Sequence, residues 1–161
     1  MWKTKLKLCY DAFMEKLRLS KKTYLWALGY FLLTTLCKWR LSPDLTILLY
    51  YAGGLIGLHL LEITETMMKL EKSPFRTVFF QVILVILTFF VVSSSASRLG
   101  SGVVLFFSLR LLYLQIEAFK NQTFGLWFPV AYSQLTKTNH RYYLYFISFI
   151  FALETVLFIF L

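Results

Sequence analysis

From Thr77 to Ser97, twenty-one consecutive residues carry no Lys, Arg, Asp or Glu. A run of this kind has few physical solutions. In water it would need wrapping on all sides, whereas in lipid a single α-helix satisfies every backbone group internally and crosses about 30 Å of hydrocarbon with roughly 20 residues. Further apolar stretches lie near residues 24–37, 45–61, 102–119 and 142–161. With 58% hydrophobic residues, 17 Phe, 10 Tyr and only 16% charged residues, the balance of a soluble domain is absent. The chain reads as an all-α polytopic membrane helix bundle of five transmembrane helices, with spans at about 23–39, 43–68, 74–97, 99–119 and 141–161, preceded by an N-terminal amphipathic helix over 1–22. With 161 residues, little is left for a soluble domain.

The N-terminal segment places Trp2, Leu6, Cys9, Phe13 and Leu17 at steps of three and four, opposite Lys3, Lys7, Asp11, Glu15 and Arg18. Such a helix lies on a membrane surface with its basic side toward anionic headgroups. A net charge of +9 would suggest nucleic acid in a soluble protein, but here the basic residues flank apolar runs, so lipid is the expected partner and nucleic acid is not. Counting Lys and Arg gives seven in the N-terminal segment, three around residues 69–76 and three in 120–141, against Lys38, Arg40 and Arg98 on the alternate side. That asymmetry places the N-terminus in the cytoplasm and the C-terminus outside. Cys9 and Cys37 then fall on opposite sides, so neither a disulfide nor a metal site is assigned to them.

Tyr24–Cys37 is short and spans only if Lys21, Lys22, Lys38 and Arg40 snorkel to the interfaces. Ser42-Pro43-Asp44 opens the second span, with Ser42 able to cap, and Ser73-Pro74 repeats the device for the third. The small residues Ser93-Ser-Ser-Ala-Ser97 suit close helix packing, and Leu99-Gly-Ser-Gly102 reads as the turn of an antiparallel hairpin between the third and fourth spans. Residues 120–141 break the apolar pattern, and Phe124–Tyr132 has the aromatics of a segment at headgroup depth.

Candidate functional residues gather where these spans carry polar groups. His59, Glu62 and Glu65 recur every third residue along one side of the second span, and Gly53-x-x-x-Gly57 leaves a groove for a close neighbour, within the chain or in another. Counting 1.5 Å per residue from the outer end of each span puts Arg110 about 16 Å deep and Glu154 about 10 Å deep, a gap an ion pair could bridge. His59, Tyr113 and Gln81 fall near about 20 Å, and Glu62 and Glu117 near about 27 Å. A charge at mid-bilayer costs on the order of 3 kcal/mol, so these groups should face inward. Two carboxylates brought together resist ionising at once, so Glu62 with Glu117 would form a protonatable site, with His59 as a relay or cation ligand. The plainer readings are His59 as an interhelical hydrogen bonder, Arg110 with Glu154 as structural glue, and Glu62 and Glu65 at the cytoplasmic interface beside Lys69 and Lys72. The spacing of His59 and Glu62 falls short of a complete metal site, so no metal and no cofactor are assigned.

The chain has no Gly-rich phosphate loop, no Gly-x-Ser-x-Gly elbow and no His-Glu-x-x-His pair. The leading expectation is therefore a non-catalytic accessory or scaffold component of a membrane, associating with lipid and with a second copy or another membrane protein. A small channel or transporter using the His59, Glu62 and Glu117 layer is the alternative. A lipid-active enzyme gripping substrate through the Trp127 segment is the weaker one.

Overall fold

The structure is a computed structural model and describes residues 21–40, 44–68, 73–94, 97–128 and 137–161. Residues 1–20 of the proposed N-terminal surface helix, Ser42, Pro43, Lys69 and Lys72 lie outside them, while Lys21 and Lys22 open the first described helix. The described residues are helical throughout, without strands, in five long helices: α1 (Lys21–Trp39), α2 (Leu45–Met67), α3 (Val78–Ser94), α4 (Arg98–Lys120) and α5 (Lys137–Phe160). Short 3-10 turns occupy Pro74–Arg76 and Phe124–Trp127. By length and composition α2, α4 and the Asn139–Phe160 part of α5 are long and apolar enough to cross a membrane, and α3 is a shorter apolar helix.

The helix ends follow local chemistry. Asp44 caps α2, its carboxylate accepting the Thr46 N–H at 3.1 Å, so the residue expected beside the cap is the cap itself. Hydrogen bonds from Thr46 hold the Asp44 carboxyl below its ordinary value. Pro74 opens a separate 3-10 turn and α3 starts only at Val78, which leaves α3 with 17 residues, about 25 Å long. Leu99–Gly102 is not a turn. It belongs to α4, whose cap Ser97 accepts the Gly100 N–H at 3.2 Å. At the other end of α4, Thr123 N–H bonds to Ala118 O and Gln122 N–H to Phe119 O, closing a Schellman motif with Gln122 at φ 60° where glycine is usual.

α4 is the axis of the bundle. Val104 through Leu112 are buried without a break, as is expected of a helix enclosed by neighbours on all sides. Its principal partner is α2. A Cβ on Gly53 would collide with the Leu99 carbonyl, one on Gly57 with the Val103 carbonyl, and one on Gly102 with the Tyr50 carbonyl. The glycine pair therefore works within the chain, and Gly102 answers it from α4. Both contacts of the α2 pair keep one register, with α2 and α4 running parallel.

Elsewhere α5 packs on α3, α4 and α1. The Lys38 ammonium donates to the Phe158 carbonyl at 2.5 Å, compensating the negative end of α5, while Trp39 Nε1 donates to Thr46 Oγ1 at 3.2 Å. Ser93 and Ser94 are exposed and donate to carbonyls of their own helix, so they do not form the small-residue contact expected of them.

Candidate functional site

Arg110 emerges from α4 one turn below Phe106 on the stripe that faces α2, and its guanidinium is buried. Its Nε and Nη2 donate to Glu62 Oε1 at 3.0 and 2.6 Å, and its Nη1 donates to Thr23 Oγ1 at 3.1 Å. One residue from each of α1, α2 and α4 is thus joined in a single buried clasp. Tyr113, half-buried, turns its ring to the guanidinium at 6.0 Å. One turn N-terminal to Glu62, His59 Nε2 lies 3.2 Å from the Tyr24 hydroxyl, a second tie between α2 and α1.

This arrangement corrects the ion pair expected from depth. Arg110 pairs with Glu62, not with Glu154. The reason lies in the parallel register: Gly53 meets Leu99 although α2 begins at Leu45 and α4 at Arg98, so α4 starts about two turns, or about 10 Å, deeper than α2. Depths counted from a common outer plane place Arg110 too far out by that amount. Glu117, in turn, is exposed and lies two turns further along α4 than Arg110, about 10 Å away, so the proposed Glu62 and Glu117 pair is not what Glu62 makes.

Gln81 is also separated from His59 and Glu62. On α4, Gln115 lies five residues beyond Arg110, about 140° around the helix, and so faces α3 and α5. Its amide donates to Gln81 Oε1, which also accepts the Tyr143 hydroxyl at 2.9 Å. Two turns toward the start of α4 on the same side, Ser108 Oγ lies 3.3 Å from Thr88 Oγ1, whose own proton goes to the Leu84 carbonyl. Glu154 is 1% exposed, with Oε1 unpartnered among the described residues. With Gln81 and Ser108 it borders a void of about 10 Å³, room for about one water.

Gln115, Thr23, Ser108 and Thr88 carry much of this bonding, and sequence reasoning gave them no role. A signal existed for Gln115 and Ser108: they fall seven residues apart on an otherwise apolar helix, hence on one face. Thr23 carried none, because threonine beside a basic cluster reads as an ordinary interfacial residue.

At the end of the bundle where α2 finishes, Glu65 clasps Arg76 of the 3-10 turn, with Nε to Oε1 at 2.7 Å and Nη2 to Oε2 at 2.8 Å. These bonds hold the Arg76 guanidinium protonated even more firmly than usual. Phe124 and Trp127, expected at headgroup depth, are buried, with Phe124 against Phe119, Phe128, His140 and Tyr143, while Leu126 is 81% exposed. Beside them opens a cleft of about 660 Å³ bordered by Arg76, Glu117 and Trp127. A second, mostly apolar groove of about 360 Å³ lies between α1 and α2, along Tyr24, Leu28, Tyr51 and Leu55.

Among the described residues, no three of His, Cys, Asp and Glu come together as a metal-ligand set. The chain matches no protein-family model, and comparison with curated proteins and with solved structures finds none similar to it.

Proposed function

We propose that this is a small non-catalytic membrane protein, an accessory or scaffold component, whose five helices span the bilayer with the N-terminus in the cytoplasm. The observation that carries the reading is the Thr23, Arg110 and Glu62 clasp. A transport site would need its charged groups free to exchange a proton or cation with water, whereas Glu62 Oε1 accepts two guanidinium N–H groups in a buried position. Several other inward polar groups support the same reading: Gln81 with Gln115 and Tyr143, Thr88 with Ser108, and Tyr30 with Thr155 at 3.0 Å each link helices. Outward, α1 and α3 present long apolar faces, including Leu25, Leu32, Leu36, Phe79, Ile86 and Phe90, to lipid or to a partner's helices.

The test is reconstitution of the purified chain into vesicles. Wild type is expected to carry no proton or cation flux above protein-free vesicles, and the Glu62→Gln and Arg110→Met variants are expected to lower resistance to unfolding. A wild-type flux that disappears in Glu62→Gln or Glu117→Gln while the protein stays folded would replace the scaffold reading with the transport one.

A further inference from the structure

The cleft at the cytoplasmic end of α4 holds groups that the scaffold reading leaves unused. Glu117 is exposed on its wall, and its carboxylate engages no described residue in a hydrogen bond or ion pair. Ser73 contributes a hydroxyl that is buried and without a partner among the described residues. Arg76 commits Nε and Nη2 to Glu65, which leaves Nη1 outside that clasp on a side chain still 44% exposed. Thr77, Asn121 and Thr123 add further polar groups, while Leu114, Ala118 and the exposed Leu126 give the wall an apolar side. At about 660 Å³ the cleft falls within the usual size of small-molecule sites.

The position is as informative as the lining. Alternation of the helices brings the start of α1, α3 and α5 and the finish of α2 and α4 to one end of the bundle, so the cleft lies where hydrocarbon gives way to headgroups. We propose that it binds one phospholipid whose headgroup carries a primary ammonium, with the phosphate toward Ser73 Oγ and Arg76 Nη1, the ammonium on Glu117, and an acyl chain along Leu114, Ala118 and Leu126.

Each alternative headgroup meets a specific mismatch. A purely anionic phospholipid such as phosphatidylglycerol offers the Glu117 carboxylate only neutral hydroxyl donors and no cation to offset its charge. A quaternary ammonium has no N–H for Glu117 and would need open aromatic faces instead, but Trp127 is only 5% exposed and the half-buried Phe128 ring is packed against Phe124, His140 and Tyr143. A primary ammonium donates charge-assisted hydrogen bonds to a carboxylate. Free phosphoethanolamine would satisfy the same polar groups but leave the apolar wall facing water, which is the argument for the lipid.

Retention of single lipids by the full-length chain, measured by native mass spectrometry from bilayers of defined phosphatidylethanolamine, phosphatidylcholine and phosphatidylglycerol content, tests this. Wild type is expected to retain phosphatidylethanolamine about ten-fold over the other two, the scale of one hydrogen bond to a charged group. Glu117→Gln should reduce that preference over phosphatidylcholine to near unity, and Ser73→Ala should weaken retention of all three without changing their order. Equal retention of phosphatidylethanolamine and phosphatidylcholine by wild type, or a preference that survives Glu117→Gln, overturns the proposal. So does displacement of the lipid by soluble glycerophosphoethanolamine at equal concentration, since the apolar wall would then contribute nothing. Glu117 is exposed and outside the Arg110 clasp, so its substitution leaves the fold in place, and failure here leaves the scaffold reading untouched.

Discussion

The two sides of α4 solve the same problem by different means. Toward α2, glycines at 53, 57 and 102 let backbones meet, and a single buried ion pair with Thr23 completes the contact. Toward α3 and α5, the contact is made by side chains, with neutral hydrogen bonds among Gln81, Gln115, Tyr143, Thr88 and Ser108. In a bilayer apolar burial would do little to join helices, so association there has to come from close packing or from polar bonds. The α2 side concentrates its specificity in a few intolerant positions. The α3 and α5 side spreads it over several replaceable ones.

That contrast predicts a steep order of mutational cost. Arg110→Met leaves Glu62 buried and unpartnered, and should cost about 3–5 kcal/mol in unfolding titrations from mixed micelles. The double variant Glu62→Leu with Arg110→Met should recover wild-type stability or exceed it, because the desolvation of both charges is removed together. A double variant as unstable as the single would mean that Arg110 acts through some contact other than Glu62. Next comes Gly57→Ala. Its added methyl meets the Val103 carbonyl, a backbone atom that cannot swing aside, so α2 and α4 must part, at about 1–3 kcal/mol. Gly29→Ala, with open space around its Cβ, is the control and should change little.

How much of this could be read from residues alone depends on whether the information was local. Gly53-x-x-x-Gly57 announces a close helix contact because only small residues spaced by one turn allow it, and the apolar run through Thr77–Ser97 announces a helix because lipid admits no other open-ended structure. The partner was not local. Antiparallel neighbours joined by short loops are the natural first guess, and they assign α4 to α3; the dominant contact instead joins α2 and α4, which run parallel and are separated by a whole helix. Depth alone accordingly matches Arg110 to Glu154 and not Glu62, since a depth scale needs to know where each helix starts relative to the others. Gly102 resembles a turn residue for a related reason: glycine next to serine and glycine looks like a loop until a facing Tyr50 carbonyl explains the missing side chain.

The α3 and α5 side should respond more gently. Hydrogen bonds between membrane helices average about 0.6 kcal/mol with a maximum near about 1.7. Gln115→Leu should fall toward the upper end, because it leaves the Tyr143 hydroxyl as the one described donor to Gln81 and sets an apolar group against polar ones in a site that is fully enclosed. Tyr143→Phe should cost less, since it removes one donor to a Gln81 oxygen that keeps the bond from Gln115. A loss from Tyr143→Phe as large as that from Arg110→Met would erase the distinction between the two sides.

The smallest effect belongs to the exposed N-terminal end of α2. The Asp44 carboxylate accepts the Thr46 N–H, and that bonding lowers its folded value below the ordinary one of about 3.9. A depressed folded value means that the cap contributes fully above the unfolded value and is lost as pH falls through the folded one, so the effect is confined to acid below about pH 4. Asp44→Asn keeps an acceptor for the same N–H but no titrating group. The stability difference between wild type and Asp44→Asn, followed from neutral pH into acid, should therefore move against wild type only below that point, with Asp44→Ala weaker than Asp44→Asn throughout. A difference that stays constant across the window would show that the cap's charge contributes nothing, leaving the parallel stack of α2 on α4 to depend on its glycines and on Arg110 with Glu62.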